Sequence, residues 1–207
     1  MAGFPGDRDL RRPFEPQAGV VTPSEPALAI PVVDKKLYTD LTWVLADIGH
    51  TVIIPIYQTV KQGSPEVSLG GVNMVAPSRI EVAVNLDNLR IEDSHSISTE
   101  EQIRRMQEEE VAVRSRLPEN MRDAVGMPIF GVSALRQLDS GYQRETGEPL
   151  LIDWFGRTIH EMAPGEIALV GRIDRNQKDL SIIRWPSDQG HGWGYLVRGI
   201  VLPQVVA

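Results

Sequence analysis

The clearest alternation in the chain is Ile80, Val82, Val84 and Leu86, separated by Glu81, Ala83 and Asn85. A period of two divides a strand between its faces, so the spacing predicts a strand with the aliphatic set inward and Glu81 and Asn85 toward water or a partner. Upstream the period changes: Leu37, Leu41, Val44, Leu45 and Ile48 recur at helical spacing behind Asp34, which suits an N-cap, and ahead of Gly49, which suits a terminator. A helix over 35–48 is expected. Between these elements, Thr51 to Val60 and Glu66 to Val75 are β-prone runs around Gln62, Gly63, Ser64 and Pro65, which read as strand, turn and strand. Pro55 marks the first of them as an edge or a bulge.

At Ser98 the pattern turns helical again. Ser98 and Glu101 form a capping box ahead of a charged helix running to about Leu117, whose thin apolar stripe is Ile103, Met106, Val113 and Leu117. Pro118 can start another helical turn or two through Met121 and Val125, closed by Gly126. Further β-prone runs follow at Met127 to Val132, Leu150 to Phe155, Glu166 to Asp174, Leu180 to Trp185 and Tyr195 to Leu202, with a short helix expected over 133–138. Residues 175–179 read as a hairpin loop. About eight short strands between Gly and Pro turns predict a mainly β fold with flanking helices, a β-sandwich of jelly-roll type, with an α+β barrel as the alternative.

The first 33 residues fit neither period. Pro5, Pro13, Pro16, Pro23, Pro26 and Pro31 recur too often for a helix or central strand between them. The expected organisation is an extended Pro-rich arm, 1–33, and one mostly β domain, 34–207, carrying a helical insertion near 99–125. An arm that cannot satisfy its own backbone is expected to lie on another surface, with Phe4, Phe14, Leu28 and Ile30 as anchors. The apolar end around Val205 and Val206 is expected either to complete a sheet or to dock on a neighbour.

Composition narrows the function. At 42% hydrophobic and 24% charged the chain can bury a core. It has no cysteine, which removes disulfides, thiolate metal sites and cysteine nucleophiles. The net charge of -7 falls mostly between Asp34 and Leu150, since acids and bases balance from Asp153 onward, so direct nucleic-acid binding is not expected. No apolar run is long enough for a membrane helix, and the charged residues from Asp7 to Arg12 occupy the place of a signal-peptide core. Synthesis in the cytoplasm is expected, with a virion as one destination.

Motifs for chemistry are broken or isolated. His160 and Glu161 begin as a zinc-protease helix would, but Pro164 stands where the second histidine belongs. Glu92, Asp93 and His95 are compact, yet a solvated loop before a capped helix accounts for them. The run Gly190, His191, Gly192, Trp193 and Gly194 offers an imidazole and an indole on a flexible backbone, but a bend at a strand entrance explains it more simply than a binding loop. The histidines, His50 included, are scattered, and Trp43, Trp154 and Trp185 are read as core.

No catalytic, cofactor or metal residue is assigned, and no cofactor is expected. The leading expectation is a non-enzymatic structural subunit of a multi-subunit assembly, such as a virion capsid, decoration or connector protein, with protein subunits as partners and a homo-oligomer as its simplest form. The alternatives are a β-barrel or sandwich enzyme or small-ligand binder built around Trp193, His191, His160 or Asp153, and an accessory subunit of a cellular complex docking through helix 99–117.

Overall fold

A computed structural model describes residues 30–57, 79–172, 174, 177 and 179–206. Phe4, Phe14, Leu28 and the strand expected over 66–75 lie outside them. Among the described residues helix (37%) outweighs strand (31%), and the sheets are open. The molecule is therefore mixed α/β. It is not the mainly β fold expected from the pattern, it is not a closed barrel, and it does not form a clear sandwich.

The chain enters through β1 (Val32–Val33) and the helix α1 (Lys35–Asp47), where the Asp34 carboxylate accepts from Leu37 N–H at 2.7 Å. Gly49, at φ 96°, turns the chain out of the helix as expected. Strands β2 (Val52–Tyr57) and β3 (Arg79–Val84) pair antiparallel, and β4 (Arg90–Ile91) follows. Ser98 caps α2 (Thr99–Arg116), its hydroxyl accepting from Glu101 N–H, and a 3-10 turn over Glu119–Ala124 closes that segment.

Next comes α3 (Val132–Thr146), ended by Gly147 in the left-handed region at φ 83°. The strand expected over 127–132 is absent: Met127 to Gly131 is buried coil, tied to the fold by the bridge from Gly126 to Val201 and by Met127 N–H donating to the Glu110 carboxylate at 3.1 Å. The short helix expected over 133–138 is the first half of α3. Strand β5 (Phe155–Ala163) begins only where the run Leu150 to Phe155 was expected to end, and β6 (Glu166–Gly171) and β7 (Ser181–Pro186) form the expected hairpin. The run 195–202 is two strands, β8 (Gly194–Val197) and β9 (Gly199–Val201), and β10 (Gln204–Val205) ends the described chain.

The sheets are ordered β2-β3-β9 and β4-β8-β5-β6-β7. They are joined by chain continuity: β9 lies on β3 and β8 on β4, with Arg198 N–H bonded to Leu89 O at 2.9 Å between them. One antiparallel ladder thus runs through both sheets, interrupted where 85–89 bulges opposite Arg198.

Two cores form on its two faces. Val82, Val84, Val197 and Val201 pack with Leu135 and Leu138 of α3, while Ala83, Leu196 and Ile200 pack with Leu41 and Leu45 of α1 and Met106 and Val113 of α2. Burial on both sides is why the strand residues read as apolar runs. Within the stripe expected to face inward, Ile80, Val82 and Val84 are buried, but Leu86 lies past the end of β3 and is exposed.

Candidate functional site

The strands Val32–Val33 and Gln204–Val205 meet. In β1 and β10, Val32 stands opposite Gln204 and Val33 opposite Val205 in a parallel pair, bonded from Gln204 N–H to Pro31 O at 2.9 Å and from Val206 N–H to Val33 O at 3.0 Å. This two-stranded ribbon is a sheet by itself, so each strand keeps one edge without a strand partner among the described residues. Its side chains are unusually bare for valines: Val32 is 62% exposed, Val205 39% and Val206 61%. Ile30, by contrast, is half-buried against the α3 side of the core. Of the residues proposed as contacts from sequence, the structure brings Ile30, Val205 and Val206 to this end of the molecule, and Val32 joins them.

A second cluster surrounds the entrance to β8. The loop 190–194 is braced: Ser96 N–H and Gly194 N–H both donate to His191 O, at 3.1 and 3.0 Å, and Phe155 N–H donates to Trp193 O at 2.7 Å. A Cβ on Gly190 would fall 2.0 Å from the Ser96 carbonyl carbon, so only glycine fits this crossing. The His191 ring meets Trp185 edge-on at 4.3 Å, and its Nδ1 accepts from Trp193 N–H at 3.2 Å, leaving the proton of the neutral ring on Nε2. Burial, reinforced by the nearby Arg157 charge, holds His191 below the usual imidazole range. The imidazole is committed to packing, while the neighbouring Trp193 indole stands half in solvent.

Beneath this loop lies Arg157 of β5, only 1% exposed. Its guanidinium donates to Ile97 O and Gln189 O at 3.0 Å, to Thr99 Oγ1 at 2.9 Å and to Ser187 O at 3.1 Å. Burial pulls its pKa down to about 10, which still leaves it cationic at neutral pH. These bonds fasten the start of α2 and the loop after β7 to β5, which makes Arg157 a fastener for the braced loop. Nothing in the sequence pattern distinguished it from a surface arginine.

The other polar clusters are similarly spent on the fold. His95 lies 2.7 Å through Nδ1 from Glu92 O, Glu92 pairs with Arg90 at 2.9 Å, and Arg90 stacks 4.4 Å over Tyr195. Among the described residues no three histidine or carboxylate side chains converge as a metal ion requires. His160 and Glu161 fall on β5 rather than a helix, and Glu161 accepts from Gly165 N–H at 2.8 Å across the turn. Asp139 and Arg172 form a buried pair at 2.7 Å, with Asp139 also accepting from Leu151 N–H at 2.9 Å. An open depression of about 430 Å³ along the start of α2 is lined by Ser98, Glu101, Ile103 and Arg104. Arg104 there is already paired with Glu101 and Glu108.

The tryptophans divide. Trp154 is buried and Trp185 half-buried, but Trp43, expected in the core, is 70% exposed on α1. The reason is angular. Leu41 and Leu45 face the core, and a residue two places after Leu41 points to the opposite side of the helix.

Among the described residues no helix is long and apolar enough to cross a membrane. Comparison with known proteins finds no matching family model, no matching curated protein and no matching solved structure.

Proposed function

We propose that this protein is a non-enzymatic structural subunit of a multi-subunit assembly, joined through its N-terminal arm and its C-terminal end, in the manner of a virion capsid, decoration or connector protein. The observation that carries this reading is the terminal ribbon. It gathers the root of a Pro-rich arm and an apolar chain end at one place, with free strand edges and exposed valines that a neighbouring strand would cover. The distribution of polar groups agrees: Arg157, His191, Asp139 and Arg172 are spent on holding the fold together.

Multi-angle light scattering at micromolar concentration tests the proposal. The full chain is expected to be oligomeric, and a chain lacking residues 1–29 is expected to keep its far-UV circular dichroism and cooperative unfolding while losing assembly. The truncation stops before Ile30 because that side chain packs on the core. A full chain that stays monomeric and captures no protein partner, or a truncated chain that assembles unchanged, would sink the reading.

A further inference from the structure

The outer face of α1 carries a feature that the helix itself does not need. Amphipathic helices turn polar residues to water, yet Trp43 stands there 70% exposed, opposite the buried Leu41 and Leu45. Asp40 and Asp47 stand three positions before and four after it, which places all three on one stripe. Asp47 is exposed, and Asp40 keeps 44% of its side chain in solvent although Lys36 pairs with it at 3.0 Å. An indole between two carboxylates is a site for a basic and apolar segment: a guanidinium stacks on the ring and pairs with the acids, and an apolar neighbour covers what remains.

This chain contains such a segment. Between Arg8 and Phe14, Arg8, Arg11 and Arg12 are all the basic residues of the arm; they outweigh the one acid there, Asp9, and stand beside the apolar Leu10 and Phe14. The intervening chain is long enough to carry the segment to a neighbouring copy. The roughly 16 residues from Phe14 to Ile30 reach up to about 50 Å. Trp43 lies only about 12 Å along α1 from the start of the helix at Lys35. The length of the spacer exceeds the distance to the arm's own Trp43 several-fold, so the arm has the reach for α1 of a neighbouring copy.

We infer that the stripe Asp40, Trp43 and Asp47 of α1 is the docking site for residues 8–14 of the arm of a second copy of this chain. The inference rests on the assembly proposed above and names the surface that the arm would grip.

The cysteine-free sequence makes the test clean. Full-length chains carrying Asp47→Cys with Arg11→Cys, oxidised mildly and run without reductant, are expected to give a ladder of multimers whose bonds map by mass spectrometry to positions 11 and 47. Chains carrying Ser140→Cys on the exposed side of α3 with Arg11→Cys are expected to give none. In the same full chain, Asp40→Lys with Asp47→Lys is expected to weaken self-association at least tenfold, and adding Arg11→Glu with Arg12→Glu to restore it to within about threefold.

A disulfide closed within single monomers would overturn the inference by showing that the arm serves its own helix. So would the absence of the bond, or an equal ladder from the Ser140 control. If the unsubstituted chain is oligomeric in these experiments and the bond is absent, the docking site alone fails. If the unsubstituted chain is monomeric and partnerless, the assembly proposal fails with it.

Discussion

His50 follows α1 and is only 5% exposed, with neither ring nitrogen meeting a partner in good hydrogen-bond geometry. Burial lowers its pKa to about 4, the Arg198 and Arg116 charges push the same way, and the Ile48 backbone offsets this only in part. The unfolded chain takes up this proton near pH 6.5 and the folded chain only near pH 4, so between those values the unfolded state binds more protons. Stability contributed by neutral His50 is therefore complete above about pH 6.5 and is lost progressively toward pH 4, by roughly 3 kcal/mol. Urea midpoints measured across that window are expected to fall with acidity, and His50→Leu is expected to flatten the slope whatever it does to the midpoint at pH 7. A second residue-scale expectation concerns Asp139. Asp139→Ala strands the buried Arg172 guanidinium and the Leu151 N–H, and is expected to cost about 3 kcal/mol or more in urea unfolding. Neither role could be read from sequence, because burial of a polar side chain is decided by elements distant in the chain. Trp43 is legible: its two-place offset from Leu41 assigns it to the outer face of α1, against the general tendency of tryptophan to be buried.

Elements with local signals were read correctly, and those shaped by distant neighbours were not. The Asp34 cap, the Ser98 and Glu101 box and the alternation at Ile80 depend on residues within one or two turns of each other, and α1, α2 and β3 formed as expected. In α3 the helical signal is present in Ala134, Leu135, Leu138 and Tyr142, but the apolar run 127–132 before it reads as a strand, and the helix was expected only over 133–138. Gly141 is there because β2 passes so near that a Cβ would fall 2.2 Å from Ile54 Cγ2. Gly141→Ala should therefore force α3 and β2 apart and destabilise by roughly 1–3 kcal/mol, despite the better helix propensity of alanine. Calorimetry would decide, since a raised melting temperature would mean that the contact is looser than described. On β3, Val84→Asp places an unpaired charge in the α3 side of the core and is expected to cost about 3 kcal/mol or more, seen as a lowered urea midpoint. The run 195–202 was misread for a different reason. Its residues are uniformly β-prone, and only the bulge at 85–89 on the partner strands divides it between two sheets at Arg198.

At the scale of the whole molecule, alternation and turns make strands recognisable but do not say how many helices will cover them, so the strand content was legible while the mixed α/β character, with open sheets and no clear sandwich, was not. The terminal ribbon was foreseen only as an alternative, a chain end that completes a sheet or docks elsewhere. The pairing within that ribbon is parallel. Followed backward from Val32 the chain leaves one end of it, and followed forward from Val205 the chain leaves the other. A subunit that grips one neighbour by the first and another by the second has a front and a back. Passed one way from copy to copy, such contacts are heterologous and propagate until rotation closes a ring or continue as a helical filament; exchanged reciprocally between two copies, they close a two-fold dimer. Native mass spectrometry of the assembled full chain separates the two arrangements: stoichiometries above two are expected from one-way passing, and a persistent dimer from reciprocal exchange.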